Sequence, residues 1–215
     1  MDLTANVDVV RHRIERAGGD PATITVVGAK PPTIEACRGA IDAGVTDLGE
    51  TRAQELLAKA PDVDGAVWHF IGRLQTNKVR ALAPLVAVWQ SIDRAEVVDE
   101  LARRAPGARV LVQVNISAEP QKGGCGPDAT ERLVEHARGA GLDVLGLMGI
   151  GPDGDPEAAR PGFRLLADLA DDLALPVRSM GMSGDLEVAV QEGSTMVRVG
   201  SALFGPRHSR DLPRD

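Results

Sequence analysis

The chain holds four lysines, Lys30, Lys59, Lys78 and Lys122, and only Lys30 ends a strong strand pattern. It follows Thr23–Ala29 (TITVVGA) directly and precedes Pro31-Pro32, so its side chain sits where an apolar strand stops. If that strand lines a barrel, the ammonium is desolvated. Desolvation lowers the pKa of a lysine and frees the amine to attack an aldehyde. The chemistry to expect there is a Schiff base. The competing reading is a surface lysine whose stem covers the strand end.

Near the C-terminus, Ser179–Asp185 (SMGMSGD) follows one apolar run, and Gly200-Ser201 follows another, MVRVG. Small residues with backbone N–H groups available at a helix start make an anion site. Ser183 would otherwise be a simple N-cap, with the glycines serving turns. Either loop alone is weak; two such loops, following successive strands, point to a phosphate. Arg198 lies inside MVRVG. A guanidinium on an inward-facing strand needs a partner, either a neighbouring carboxylate or an acceptor on a ligand, such as a ring nitrogen. His69, in WHFIG, is similarly placed at the end of the third apolar run. A lone histidine is more often a packed core residue than a catalyst. No second histidine stands at metal-ligand spacing, so no metal site is expected.

The elements that must position these residues alternate from one end of the chain to the other. Strand patterns fall at Thr23–Ala29, Asp47–Gly49, Val67–Ile71, Val86–Ser91, Arg109–Ile116, Asp143–Gly149, Pro176–Met180 and Met196–Gly200. Helical patterns lie between them, including Ile34–Ala43, Ala53–Ala60, Arg94–Arg103, Ala129–Ala140, Glu157–Leu173 and Leu186–Glu192, after an opening helix around Val7–Arg16. Runs such as RVLVQVNI hold apolar residues at successive positions rather than strictly alternating ones, as in parallel strands buried on both faces. About eight strand–helix repeats are the number that closes a barrel. A doubly wound sheet usually carries a glycine-rich loop after its first strand, and here that stretch is Lys-Pro-Pro. The expected fold class is therefore α/β, a single (β/α)8 TIM-like barrel with an extra N-terminal helix, over residues 1–207. A polar tail is expected at 208–215. Gly151–Pro161 reads as a loop and helix start rather than a boundary.

Composition excludes several functions. The net charge of −7 offers no basic stripe for nucleic acid, and aromatics at 2%, with no tyrosine, leave no base-stacking platform. No run of 18 or more apolar residues occurs, and the N-terminus lacks the apolar core of a signal peptide, so a cytoplasmic protein is expected. Cys37 and Cys125 are far apart in dissimilar contexts and are expected as free thiols.

With these residues in view, the chain resembles the pyridoxal phosphate homeostasis protein family. WHFIGRLQTNK at 68–78, VNIS at 114–117, GLMGI at 146–150, AIDAGVTDLGE at 40–50 and SMGMSGDLEVAVQEGSTMVRVGSALFG at 179–205 carry the resemblance, which runs from about Val7 to Arg207. It implies pyridoxal 5′-phosphate (PLP) as cofactor, with Lys30 as its lysine. It also implies phosphate contacts from Ser183, Gly184, Gly200 and Ser201, and Arg198 facing the pyridine nitrogen. His69 is carried as a further cofactor-binding candidate. Two departures stand out: the family's Val-Ser-Lys reads Gly28-Ala29-Lys30, and its Gly-Glu-Asn-Tyr reads Gly49-Glu50-Thr51-Arg52. The family fold resembles the barrel domain of alanine racemase without its β-rich second domain, for which 215 residues leave no room.

The implied function is that of a non-catalytic, monomeric carrier or buffer of PLP in vitamin B6 and amino-acid balance. Its partners would be PLP, amino acids and PLP-dependent apoenzymes. The runner-up is a racemase-like enzyme using Lys30, which would need an opposing base; with no tyrosine, His69 is the only distant candidate. A third reading is a class I aldolase-like barrel acting on a phosphosugar through Lys30.

Overall fold

The computed structural model describes residues 2–206. The expected tail at 208–215, and residue 207 at the end of the expected barrel unit, lie outside the described residues. Eight parallel strands close into a barrel in chain order: β1 (Thr25–Ala29), β2 (Asp47–Glu50), β3 (Val67–Phe70), β4 (Val88–Ile92), β5 (Arg109–Val114), β6 (Asp143–Gly149), β7 (Val177–Ser179) and β8 (Met196–Val199). Closure is made by β8 against β1, with Val27 opposite Arg198 and Gly28 opposite Val199.

The helices are α1 (Leu3–Arg16), α2 (Ile34–Asp42), α3 (Ala53–Lys59), α4 (Thr76–Leu82), α5 (Ala95–Arg104), α6 (Thr130–Gly139), α7 (Arg160–Asp172), α8 (Leu186–Gln191) and α9 (Ser201–Phe204). The extra N-terminal helix begins earlier than its apolar period indicates. The Asp2 carboxylate accepts from the Ala5 N–H and caps it five residues upstream of Val7, the first buried position. Val7, Val10 and Ile14 form its buried stripe, and it packs on α2, α8 and α9. The helical pattern does not single out α4, because only Val79 and Leu82 of its seven residues are buried. The fifth strand stops at Val114 rather than Ile116: the Asn115 N–H turns to the Cys125 carbonyl, and the chain leaves the sheet.

Two cores result. The larger lies between strands and helices and includes Leu48, Trp89, Leu101, Val112, Phe163 and Leu166. Each such side chain contributes roughly 1.5–3 kcal/mol through its burial. The smaller is made of Val27, Val88, Leu111, Met148 and Met196, from five strands around the ring, which can meet only inside the barrel. One close approach tolerates no side chain at all. A Cβ on Gly146 would lie 1.9 Å from the Val177 carbonyl oxygen, so β6 and β7 pair closely only because position 146 is glycine.

Candidate functional site

At the C-terminal ends of the strands a cavity of about 740 Å³ opens. Lys30, Ser183, Gly184, Arg198, Gly200 and Ser201 all line it, together with Thr51 and the apolar side chains of Ile71, Ile150, Met182 and Phe204. The structure thus brings together six of the seven residues singled out from the sequence. The seventh, His69, is elsewhere: it is buried within the barrel, off the cavity wall.

Lys30 is the first residue past β1 and is half-buried. Its φ of 57° is left-handed, which for a residue with a Cβ costs of order 1–2 kcal/mol. The surroundings hold it there. The Lys30 N–H donates to the Gly49 carbonyl at 2.6 Å, continuing the β1–β2 ladder by one bond. The next carbonyl, that of Pro31, accepts from Lys59 Nζ at 2.7 Å. Of the four lysines, Lys30 alone lines the cavity.

The loops after β7 and β8 are tied to one another. Ser183 Oγ accepts from the Ala202 N–H at 3.1 Å, so Ser183 bridges the two loops instead of capping α8, whose N-cap is Asp185. The Met182 N–H donates to the Asp185 carboxylate at 2.6 Å, folding the small-residue segment back on itself. From outside the barrel, Arg13 of α1 donates to the Ser183 carbonyl at 3.0 Å and pairs with Glu187 at 2.6 Å. A Cβ on Gly200 would lie 2.9 Å from the Ala29 carbonyl, so the close approach of this loop to the end of β1 requires glycine. Small residues, a cationic floor and two joined loops suit a phosphate monoester better than a bulky apolar ligand.

Arg198 forms the floor. Its side chain is buried, and burial pulls its pKa down to about 10, with the charge of Asp185 acting in the opposite sense. No carboxylate hydrogen-bonds it among the described residues. One N–H goes to Ser179 Oγ and another to the Gly149 carbonyl, each at 2.7 Å. Of the two partners weighed from the sequence, the salt bridge is therefore not what the fold supplies.

Ser179 leads further down. Its hydroxyl donates to Gln90 Oε1 at 2.7 Å, Gln90 Nε2 lies 2.7 Å from His69 Nδ1, and His69 Nε2 lies 2.9 Å from Asp47 Oδ1. Gln90 and Asp47 were not singled out from the sequence. The only signal was polarity inside otherwise apolar strands, as in VWQSI. Thr51 lines the cavity in place of the family's asparagine, whereas the exposed Arg52 precedes α3 and lies off the wall. Among the described residues no group of His, Cys, Asp and Glu is arranged for a metal, and both cysteines are free thiols.

Fold and sequence together define a class. A closed eight-strand barrel with its cavity at the strand ends matches, over residues 2–208, the family described as alanine racemase, N-terminal domain. The chain is 41% identical to the pyridoxal phosphate homeostasis protein of Aquifex aeolicus, covering 95% of this chain and 96% of that one. It is 38% identical to the protein of that name from Pseudomonas aeruginosa, over 92% and 91% of the two chains. PipY of Synechococcus elongatus, solved with PLP bound, superposes with a TM-score of 0.79 at 27% identity, over 91% of this chain and all of PipY. The chain belongs to the pyridoxal phosphate homeostasis protein family.

Proposed function

We propose that this protein binds PLP in the cavity at the strand ends and carries or buffers it, acting in the cytoplasm as a monomer in vitamin B6 and amino-acid homeostasis. The observation that carries the reading is the convergence, on one cavity, of a strand-end lysine, a buried arginine and two joined small-residue loops. The residues fit the group. Lys30 would supply a primary amine, Ser183, Gly184, Gly200 and Ser201 would hold the phosphate, Arg198 would donate to the ring nitrogen, and Ile71, Ile150 and Phe204 give the cavity apolar walls for a ring. When bound, PLP supplies an aldehyde that condenses with a primary amine, and a ring that can withdraw electrons if its nitrogen is protonated. A guanidinium only donates and so keeps that nitrogen unprotonated. His69 acts from beneath the site rather than in it.

This arrangement supports holding and releasing the cofactor better than amino-acid turnover. The racemase alternative needs a base opposite Lys30. The chain has no tyrosine, and both ring nitrogens of His69 are engaged by Asp47 and Gln90. Relatives are named for homeostasis and not for a reaction.

The test is an absorbance spectrum of the purified protein with PLP, before and after borohydride, with peptide mapping of the reduced adduct. The adduct is expected on Lys30, and Lys30→Ala is expected to lose it while remaining folded by circular dichroism. An adduct on Lys59, Lys78 or Lys122 would overturn the assignment. Absence of any chromophore would favour the aldolase-like alternative.

A further inference from the structure

Arg198, Ser179, Gln90, His69 and Asp47 come from β8, β7, β4, β3 and β2 and form one hydrogen-bonded chain across the barrel interior. Ser179, Gln90 and His69 are each at most 1% exposed, whereas the Asp47 side chain is 27% exposed at the opposite mouth of the barrel. The direction of every bond follows from the chemistry of the two ends. An arginine can only donate, so Ser179 Oγ accepts from it and has its own proton left for Gln90 Oε1. That sets the amide, and its N–H₂ faces His69 Nδ1 and, at 3.3 Å, Met196 Sδ. His69 Nδ1 must then accept, so its proton sits on Nε2 and is donated to Asp47. A carboxylate only accepts, so the direction read from Asp47 is the same. Each acceptor along the chain points toward Arg198.

This orders the barrel interior around one requirement. A buried guanidinium without a carboxylate partner is costly, and aligned hydrogen bonds in a low dielectric polarise one another. With Gln90 in place, Ser179 must present its lone pairs, and not its proton, to Arg198. Without Gln90 Oε1, the serine proton would have to seek another acceptor, and the guanidinium would lose its fixed partner.

We propose that Gln90 is the positioning residue of the cofactor site. Through Ser179, and in a relay continued by His69 and Asp47, it fixes Arg198 toward the ring nitrogen of the ligand. The proposal rests on PLP being the occupant of the cavity, and it assigns His69 a supporting role remote from the ligand.

The test compares PLP with its carbocyclic analogue, in which the ring nitrogen is C–H and so offers Arg198 no acceptor. Dissociation constants are measured by fluorescence titration on the whole chain. Wild type is expected to prefer PLP. Gln90→Met, near in volume but lacking the amide, is expected to weaken PLP about tenfold, corresponding to one charge-assisted hydrogen bond, and the analogue by less than about twofold. Gln90→Glu keeps an acceptor for Ser179 and is expected to retain the preference. Should Gln90→Met fail to fold, Ser179→Ala removes the same link with a smaller change and is expected to behave likewise. Equal weakening of both ligands, or unchanged PLP binding in the folded variant, would overturn the proposal. A wild-type protein that binds neither ligand would instead overturn the PLP reading itself.

Discussion

Lys59 Nζ lies 2.7 Å from the Pro31 carbonyl oxygen and 2.7 Å from Glu50 Oε1. One buried ammonium thereby joins the end of β2 to the turn that sets Lys30. Burial works against the cation, but the hydrogen bond and charge of Glu50, with help from Glu55, lift its pKa above the ordinary lysine value. Lys59→Met would leave Glu50, 2% exposed, without its counter-ion and the Pro31 carbonyl without its donor. Removing one member of a buried pair costs about 3–5 kcal/mol. Urea unfolding should show that loss, and PLP should bind more weakly as the Lys30 turn loosens. Wild-type stability in Lys59→Met would mean that the pair holds nothing.

Ser183 and Ser201 stand on the two loops that Ser183 Oγ joins. The double change to Ala should weaken PLP at least about tenfold, since each hydroxyl–phosphate bond is worth about 1.5–3 kcal/mol. Unphosphorylated pyridoxal should be affected much less. Equal effects on the two ligands would place the phosphate elsewhere.

The Arg13–Glu187 pair braces the same loop from α1, and its contribution depends on pH. The hydrogen bond from Arg13 holds the Glu187 carboxyl below the usual carboxylate range. A depressed folded-state pKa stabilises the protein above the unfolded-state value, and the contribution fades as pH falls through the folded-state value. Wild-type protein should therefore lose this brace only in acid, below the ordinary carboxylate range. Arg13→Ala should lack it at neutral pH and show a flatter acid limb in thermal melts recorded against pH. Parallel acid limbs in the two proteins would show that the pair makes no pH-dependent contribution.

Bound PLP should support little or no exchange of the α-proton of amino acids. With Arg198 at the ring nitrogen, as proposed, that nitrogen would meet a hydrogen-bond donor rather than an acid that holds it protonated, and the chain has no tyrosine to act from the second face. The measurement is deuterium incorporation into L-alanine in D₂O, followed by NMR. Saturable exchange that vanishes in Lys30→Ala would promote the racemase alternative.

The sequence alone determined the barrel and pointed to most of the residues that line the cavity. Eight short, mostly apolar runs, alternating with helical periods, leave few ways to bury the chain, and Lys30, Ser183, Gly184, Gly200 and Ser201 sit where strands end, so their place at the strand-end cavity follows from the order of elements. Arg198 was legible too, because a charge within MVRVG must be compensated. Its compensation was not legible. Ser179, Gln90, His69 and Asp47 lie on four other strands, and a period-two pattern says which side of a strand a residue takes but not which residue faces it across a closed ring. Only closure of β8 on β1 brings them into one chain of hydrogen bonds. The same limit explains His69, whose strand position suggested the cavity but whose side chain is satisfied by Gln90 and Asp47 within the barrel. Tertiary structure decided these pairings because a buried polar group is stable only beside its complement, and those complements are distant in sequence.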